Sequence, residues 1–94
     1  MSEGRKVHMN ITVTGKVQGV GFRFSARTIA QSLGLKGFVK NLYDGSVYLE
    51  AEGPDYKIEQ LIHWCHQGPN YARVNNVRVE EGEVQGYSYF EITA

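Results

Sequence analysis

Along residues 7–14 (VHMNITVT) apolar and polar positions alternate, with β-branched side chains among them. That pattern predicts a strand whose Val7, Met9, Ile11 and Val13 share one face. The period then changes. Over residues 22–34, Phe22, Ala26, Ile29, Ala30 and Leu33 recur at helical spacing, and Gly34 supplies a stop. Residues 36–42 read as a second strand, and Asp44-Gly45 is a two-residue hairpin signal. The returning strand, 46–52, points Val47, Leu49 and Ala51 inward and Tyr48, Glu50 and Glu52 outward. Gly53-Pro54 opens a second helix, because proline suits a first helical turn. Ile58, Leu61, Ile62 and Cys65 form its apolar stripe, and Gly68-Pro69 ends it. Residues 74–80 and 87–93 (YSYFEIT) read as further strands.

The order is β-α-β-β-α-β plus an extra C-terminal strand. It predicts an α+β, ferredoxin-like sandwich with two helices on one face of a mostly antiparallel sheet. Residues 7–94 are expected to form one domain, and the polar residues 1–6 a flexible N-terminus. Composition agrees. The chain has 94 residues, enough for one domain; 41% are hydrophobic and 21% charged, with 11 glycines marking many tight turns. Cys65 is the only cysteine, so no intrachain disulfide forms and a reducing compartment fits. The first twenty residues hold no long apolar run, and nothing approaches membrane-spanning length. A cytoplasmic location without a signal peptide or membrane partner is expected.

Net charge is zero, but its placement is uneven. Residues 1–40 carry seven basic groups and one acid, whereas residues 41–94 carry three basic groups and nine acids. A basic side that survives folding would draw in small anions. The zero balance argues against a nucleic-acid partner.

Residues 15–23 (GKVQGVGFR) concentrate the unusual chemistry. Glycines at 15, 19 and 21 allow conformations closed to other residues and close approach of a ligand. The helix that follows has no capping side chain. Gly21, Phe22 and Arg23 stand where Ser, Thr, Asp or Asn would satisfy the first orphan N–H groups. Those donors suit an anion. Arg23 sets a cation at the positive end of the helix dipole, which alone costs about 0.3–1 kcal/mol. A bound phosphate reverses that sign, and a guanidinium matches phosphate bidentately. The loop lacks the GK[ST] ending of a P-loop and the G-x-G-x-x-G of a dinucleotide site. Asn41, at the end of the second strand, either initiates the turn or holds a water or substrate oxygen.

These segments resemble a known family. GKVQGVGFR (15–23) and GFVKNLYDGSVYLEAEG (37–53) are similar to the two signature segments of the acylphosphatases, and the element order and the ending YSYFEI are similar too. The resemblance implies hydrolysis of the carboxyl–phosphate bond of acyl phosphates, without metal or organic cofactor. It implies that Arg23 binds the phosphate and that Asn41 positions the water. The backbone of Gln18, Gly19, Val20, Gly21, Phe22 and Arg23 corresponds to the phosphate cradle.

Such chemistry asks little of the protein. Phosphoryl transfer is mainly positioning and charge stabilisation. The acyl group departs as a carboxylate whose conjugate acid has a pKa of about 4 to 5, so no general acid is required. The expected partners are a small acyl phosphate and inorganic phosphate, and a monomer is expected. The alternative is a non-catalytic phosphate or carbamoyl-phosphate binding module on the same loop. Other features read blandly. His63 and His66 in HWCH (63–66) suit a helix C-terminus, with Cys65 in the core. KGFVKN (36–41) is a poor match to an RNA-binding aromatic strand, and EEGE (80–83) reads as a solvated turn.

Overall fold

The computed structural model describes residues 4–94. Seven elements follow in order: β1 (Lys6–Lys16), α1 (Phe22–Ser32), β2 (Lys36–Asn41), β3 (Val47–Pro54), α2 (Asp55–Gln67), β4 (Arg73–Gly82) and β5 (Phe90–Ile92). The strands form one sheet in the order β4-β1-β3-β2-β5. All neighbours are antiparallel except β2 and β5, which run parallel. This is the expected sandwich with its extra C-terminal strand, although β5 is only three residues long.

The alternation in β1 and β3 decides where the helices lie. Val7, Ile11 and Val13 from β1 and Val47, Leu49 and Ala51 from β3 are buried in one cluster with Phe22, Ala26 and Ala30 of α1 and Ile58, Leu61 and Cys65 of α2. Positions 22, 26 and 30 form one stripe of α1, and its two alanines let that helix sit close against the strands. The rings of Phe22 and Trp64 meet at 5.0 Å, joining the start of α1 to α2.

The other face of the sheet departs from expectation. Glu52 does not face solvent; it is 1% exposed, and His8 opposite it on β1 is 3% exposed. The connector between β4 and β5 lies across them. Its backbone N–H groups at Gln85, Gly86 and Tyr87 all donate to the Glu52 carboxylate. His8 Nδ1 donates to Glu52 at 2.7 Å, and its Nε2 faces Asn10 Oδ1 at 2.8 Å and Glu50 at 3.1 Å. Both ring nitrogens thus face oxygen acceptors, and the doubly protonated imidazolium satisfies them all. The hydroxyls of Tyr48 and Tyr87 donate to Glu50 at 2.6 and 2.8 Å. Burial and the Glu50 carboxylate push the Tyr87 phenol up to about 12, so it stays a neutral donor. Alternation identified the face correctly but could not reveal that a distant loop covers it.

Smaller differences have local causes. Glu80, Glu81 and Gly82 extend β4 rather than forming a turn, because β1 pairs with them through His8, Met9 and Asn10. The β2–β3 turn is wider than the two-residue form. Leu42 N–H donates to Ser46 O, leaving Tyr43, Asp44 and Gly45 between them. Asp44 Oδ1 accepts both the N–H and the hydroxyl of Ser46, which fixes the longer loop. Pro54 ends β3 and caps α2 rather than lying within the helix. Of the residues expected to form a flexible N-terminus, Arg5 and Lys6 are tied to the fold. β1 begins at Lys6, and Arg5 O accepts from Asp55 N–H at 2.9 Å; residues 1–3 lie outside the described residues.

The buried network gives stability a pH dependence. Burial pulls the His8 pKa down, but its bonds to Glu52 and Asn10 and the Glu50 charge outweigh that and raise it above the ordinary 6.5. Burial pushes Glu52 up, but the N–H of Gln85, His8 and the other connector N–H groups hold it below 4.5. The His8 contribution is complete below 6.5 and is lost as pH rises through the raised native value. That of Glu52 is complete above 4.5 and is lost as pH falls through the lowered value. The contribution of this pair is therefore greatest between 4.5 and 6.5. Urea unfolding across pH should show His8→Gln flattening the fall above 6.5 while keeping an acid-side fall. An unchanged alkaline fall in that variant would place its origin elsewhere.

Candidate active site

β1 reaches further than its apolar alternation indicated. It runs through Gly15 to Lys16, with an irregularity between Thr14 and Gly15 against β4. Gly15 therefore belongs to the sheet, not to the anion loop. A Cβ there would stand 2.1 Å from Arg73 O, so close backbone approach is what requires glycine. The loop proper is residues 17–21, anchored by the buried Val17.

Gly21 is the N-cap residue of α1 and adopts the left-handed conformation, φ 79° and ψ 17°, with no side-chain cap. The first turn contains no acidic residue. The leading N–H groups of α1 therefore lack both an intrahelical acceptor and a capping oxygen. A Cβ at Gly19 or Gly21 would meet nothing within 4 Å, so space beside both is open.

That space is a pocket of about 180 Å³ lined by Gln18, Gly19, Gly21, Arg23 and Asn41, with Val17, Phe22 and Phe24. It brings together the two residues singled out in the sequence, one from a helix start and one from a strand end. Of the expected cradle residues, only Val20 does not line it; its side chain packs against the core. Arg23 is half-buried, and no carboxylate pairs with it among the described residues. Asn41 Oδ1 is buried and accepts no hydrogen bond from the described residues. A half-buried cation, orphan helix donors and an orphan acceptor thus share one small cavity. A tetrahedral dianion satisfies the first two, and a water O–H satisfies the third.

The side chain of Gln18 is the functional group that sequence reading missed, having counted only its backbone. Its Nε2 donates to Leu42 O at 2.8 Å and Ser46 O at 2.9 Å. Both carbonyls belong to the hairpin that follows Asn41, so this amide ties the loop to the strand end. The one sequence signal was a polar side chain amid glycine and valine. The other features stand aside. Cys65 is buried, its thiol pushed up to about 12 by burial, while His63 and His66 are exposed on α2. Phe38 does gather with Tyr48 and Tyr87, each ring 6.0 Å away, and the hydroxyls of both tyrosines are taken up by Glu50.

Comparison with known proteins gives a consistent answer. A family model described as Acylphosphatase matches residues 9–92. An acylphosphatase of Trichormus variabilis is 43% identical over 90 residues, which cover 96% of this chain and 89% of that one. The structure of an acylphosphatase from Coxiella burnetii superposes with a TM-score of 0.92 at 43% identity, covering 99% of this chain and all of that one (100%). Full-length HypF, solved in its phosphate- and nucleotide-bound form, matches with a TM-score of 0.87 at 32% identity; the match covers 99% of this chain and 12% of HypF.

Replacing Gln18 by Ala removes two donors and leaves two carbonyls less satisfied. The expected loss is about 2 kcal/mol in chemical unfolding, at roughly 1 kcal/mol per bond. Added phosphate should also protect the variant from thermal unfolding less than it protects the parent. Undiminished phosphate protection would show that the loop holds its shape without this tie.

Proposed function

The chain belongs to the acylphosphatase family, and we propose that Arg23, the backbone of Gln18–Arg23 and Asn41 carry out its reaction. That reaction is hydrolysis of the carboxyl–phosphate bond of an acyl phosphate, yielding a carboxylate and inorganic phosphate. The observation that carries the assignment of roles is the meeting, in one pocket, of the Arg23 side chain and Asn41 Oδ1, neither of which has an ion-pair or hydrogen-bond partner among the described residues.

Arg23 and the N–H groups of the cradle hold the equatorial phosphoryl oxygens as charge redistributes between them. Asn41 Oδ1 accepts a hydrogen bond from one O–H of a water and so directs a lone pair at phosphorus. As the new P–O bond forms, the bond to the acyl oxygen breaks, its electron pair leaves on the carboxylate, and both protons of the water stay with the product, dihydrogen phosphate. No acid is needed at that oxygen, because the carboxylate is a weak base. Inorganic phosphate, the product, competes for the same cradle.

A cytoplasmic monomer fits this reading. The free thiol of Cys65 suits a reducing compartment. No described helix is long and apolar enough to cross a membrane. The sheet edges also discourage pairing: β5 is three residues long, and β4 carries Arg73, Arg78, Glu80 and Glu81.

Benzoyl phosphate hydrolysis, with inorganic phosphate as competitor, tests the roles. Arg23→Ala should abolish both phosphate binding and turnover, and near-normal kcat/KM in that variant would sink the assignment. Asn41→Ala should lose turnover by on the order of 3 kcal/mol, as for other positioned polar groups, while keeping most phosphate affinity. A large loss of affinity by calorimetry would make Asn41 a phosphate ligand instead. Phosphate binding without any turnover by the parent protein would mark a non-catalytic module.

A further inference from the structure

In-line displacement imposes a direction. Water approaches phosphorus from one side, and the acyl oxygen departs from the other. Asn41, in the role proposed above, fixes the water side.

Two recesses adjoin the phosphate pocket. The larger, about 480 Å³, shares Gln18 and Asn41 with it and continues past Lys40 and Tyr43. It lies on the side of Asn41 and hence of the nucleophile. The smaller, about 320 Å³, shares only Phe24 with the phosphate pocket. It runs between α1 and α2, with Ile29, Trp64 and Pro69 as apolar walls.

Phe24 sits at that junction, directly after Arg23. Its ring is 63% exposed, which is unusual for phenylalanine on a helix whose buried stripe is formed by other residues. The ring is also held in place, with the Arg27 guanidinium carbon 5.2 Å from its centroid. Of the residues that line the phosphate pocket, Phe24 alone also lines this groove, so an acyl group leaving on that side meets the ring and then the groove behind it. Polar or very small acyl groups gain little there, because the walls offer mainly apolar contact.

We propose that Phe24 and the α1–α2 groove form the subsite for the acyl group, and that they favour acyl phosphates with aromatic or bulky apolar acyl groups over acetyl phosphate. The proposal rests on Asn41 marking the water side. It makes Phe24 a specificity-determining residue, with no role in the bond-breaking step.

The test compares kcat/KM for benzoyl phosphate and acetyl phosphate in the parent protein, Phe24→Ala, Phe24→Leu and Tyr43→Ala. The mutational change in the ratio is read, so the intrinsic reactivities of the two substrates cancel. Phe24→Ala should lower the benzoyl-to-acetyl ratio roughly threefold to tenfold, the range of one aromatic contact. Phe24→Leu should restore part of it, and Tyr43→Ala should leave it unchanged. A ratio that survives Phe24→Ala, an equal loss for both substrates, or a ratio that follows Tyr43 instead would overturn the subsite. Failure of the parent protein to hydrolyse either substrate would overturn the proposed function itself and the subsite with it.

Discussion

Two hydrogen bonds from one amide hold this site together. Gln18 Nε2 donates to the carbonyls of Leu42 and Ser46, at opposite ends of the β2–β3 turn. Arg23 stands on a helix and Asn41 on a strand, so nothing in local chain geometry fixes their separation. The Gln18 tie does so, by fastening the loop before the helix to the hairpin after the strand. Misplacement of about 1 Å between reacting groups can cost roughly a hundredfold in rate, so the tie bears directly on catalysis. Asp44 supports it from behind. Its carboxylate accepts twice from Ser46 and is held below its usual range by those bonds, fixing the residue whose carbonyl Gln18 grips.

The rest of the fold keeps the strands beneath the loop from shifting. On the helix face this is apolar packing, in which Val39 of β2 and Val13 of β1 lie in the same core as Phe22. On the opposite face it is polar. Glu52 collects three backbone N–H groups from the β4–β5 connector, and His8 neutralises its charge. A buried carboxylate with no such partners would cost several kcal/mol, so burial and the network require each other. The connector leads into β5, which seals the outer edge of β2, the strand bearing Asn41. Polar chemistry on the back face thus steadies the strand that carries Asn41, the amide proposed to position the water, on the front.

Much of this was legible in the sequence, and the exceptions share a cause. Periodicity and turn signals found each helix and strand of the described residues, because a residue's own face and its near neighbours decide those. The uncapped start of α1 and the misplaced charge of Arg23 were also visible, since both are local violations of local rules. Glu52 was misread because the connector that buries it is more than thirty residues away in sequence. Gly15 was assigned to the loop because its requirement comes from Arg73 O, on another strand. The Gln18 amide was overlooked for the same reason, its acceptors being 24 and 28 residues on. Resemblance supplied what periodicity could not, namely the expectation that Arg23 and Asn41 act on one phosphate.

The economy of the site follows from its substrate. An acyl phosphate already carries a good leaving group, so a site for it requires only a cation, a set of N–H donors and an acceptor for water, and no titrating acid. Those parts need one loop, one helix start and one strand end, which a sheet of five strands and two helices can hold rigid. None of them touches the acyl group. Discrimination among acyl phosphates must therefore come from residues just outside the phosphate cradle, where the chain is free to vary without harming the chemistry. Phe24 is in that position: next to Arg23, the proposed phosphate-binding cation, exposed, and set at the mouth of an apolar groove. In the roles proposed here, catalysis and selectivity are divided between adjacent residues of one helical turn, Arg23 for the phosphoryl group and Phe24 for the group that leaves it.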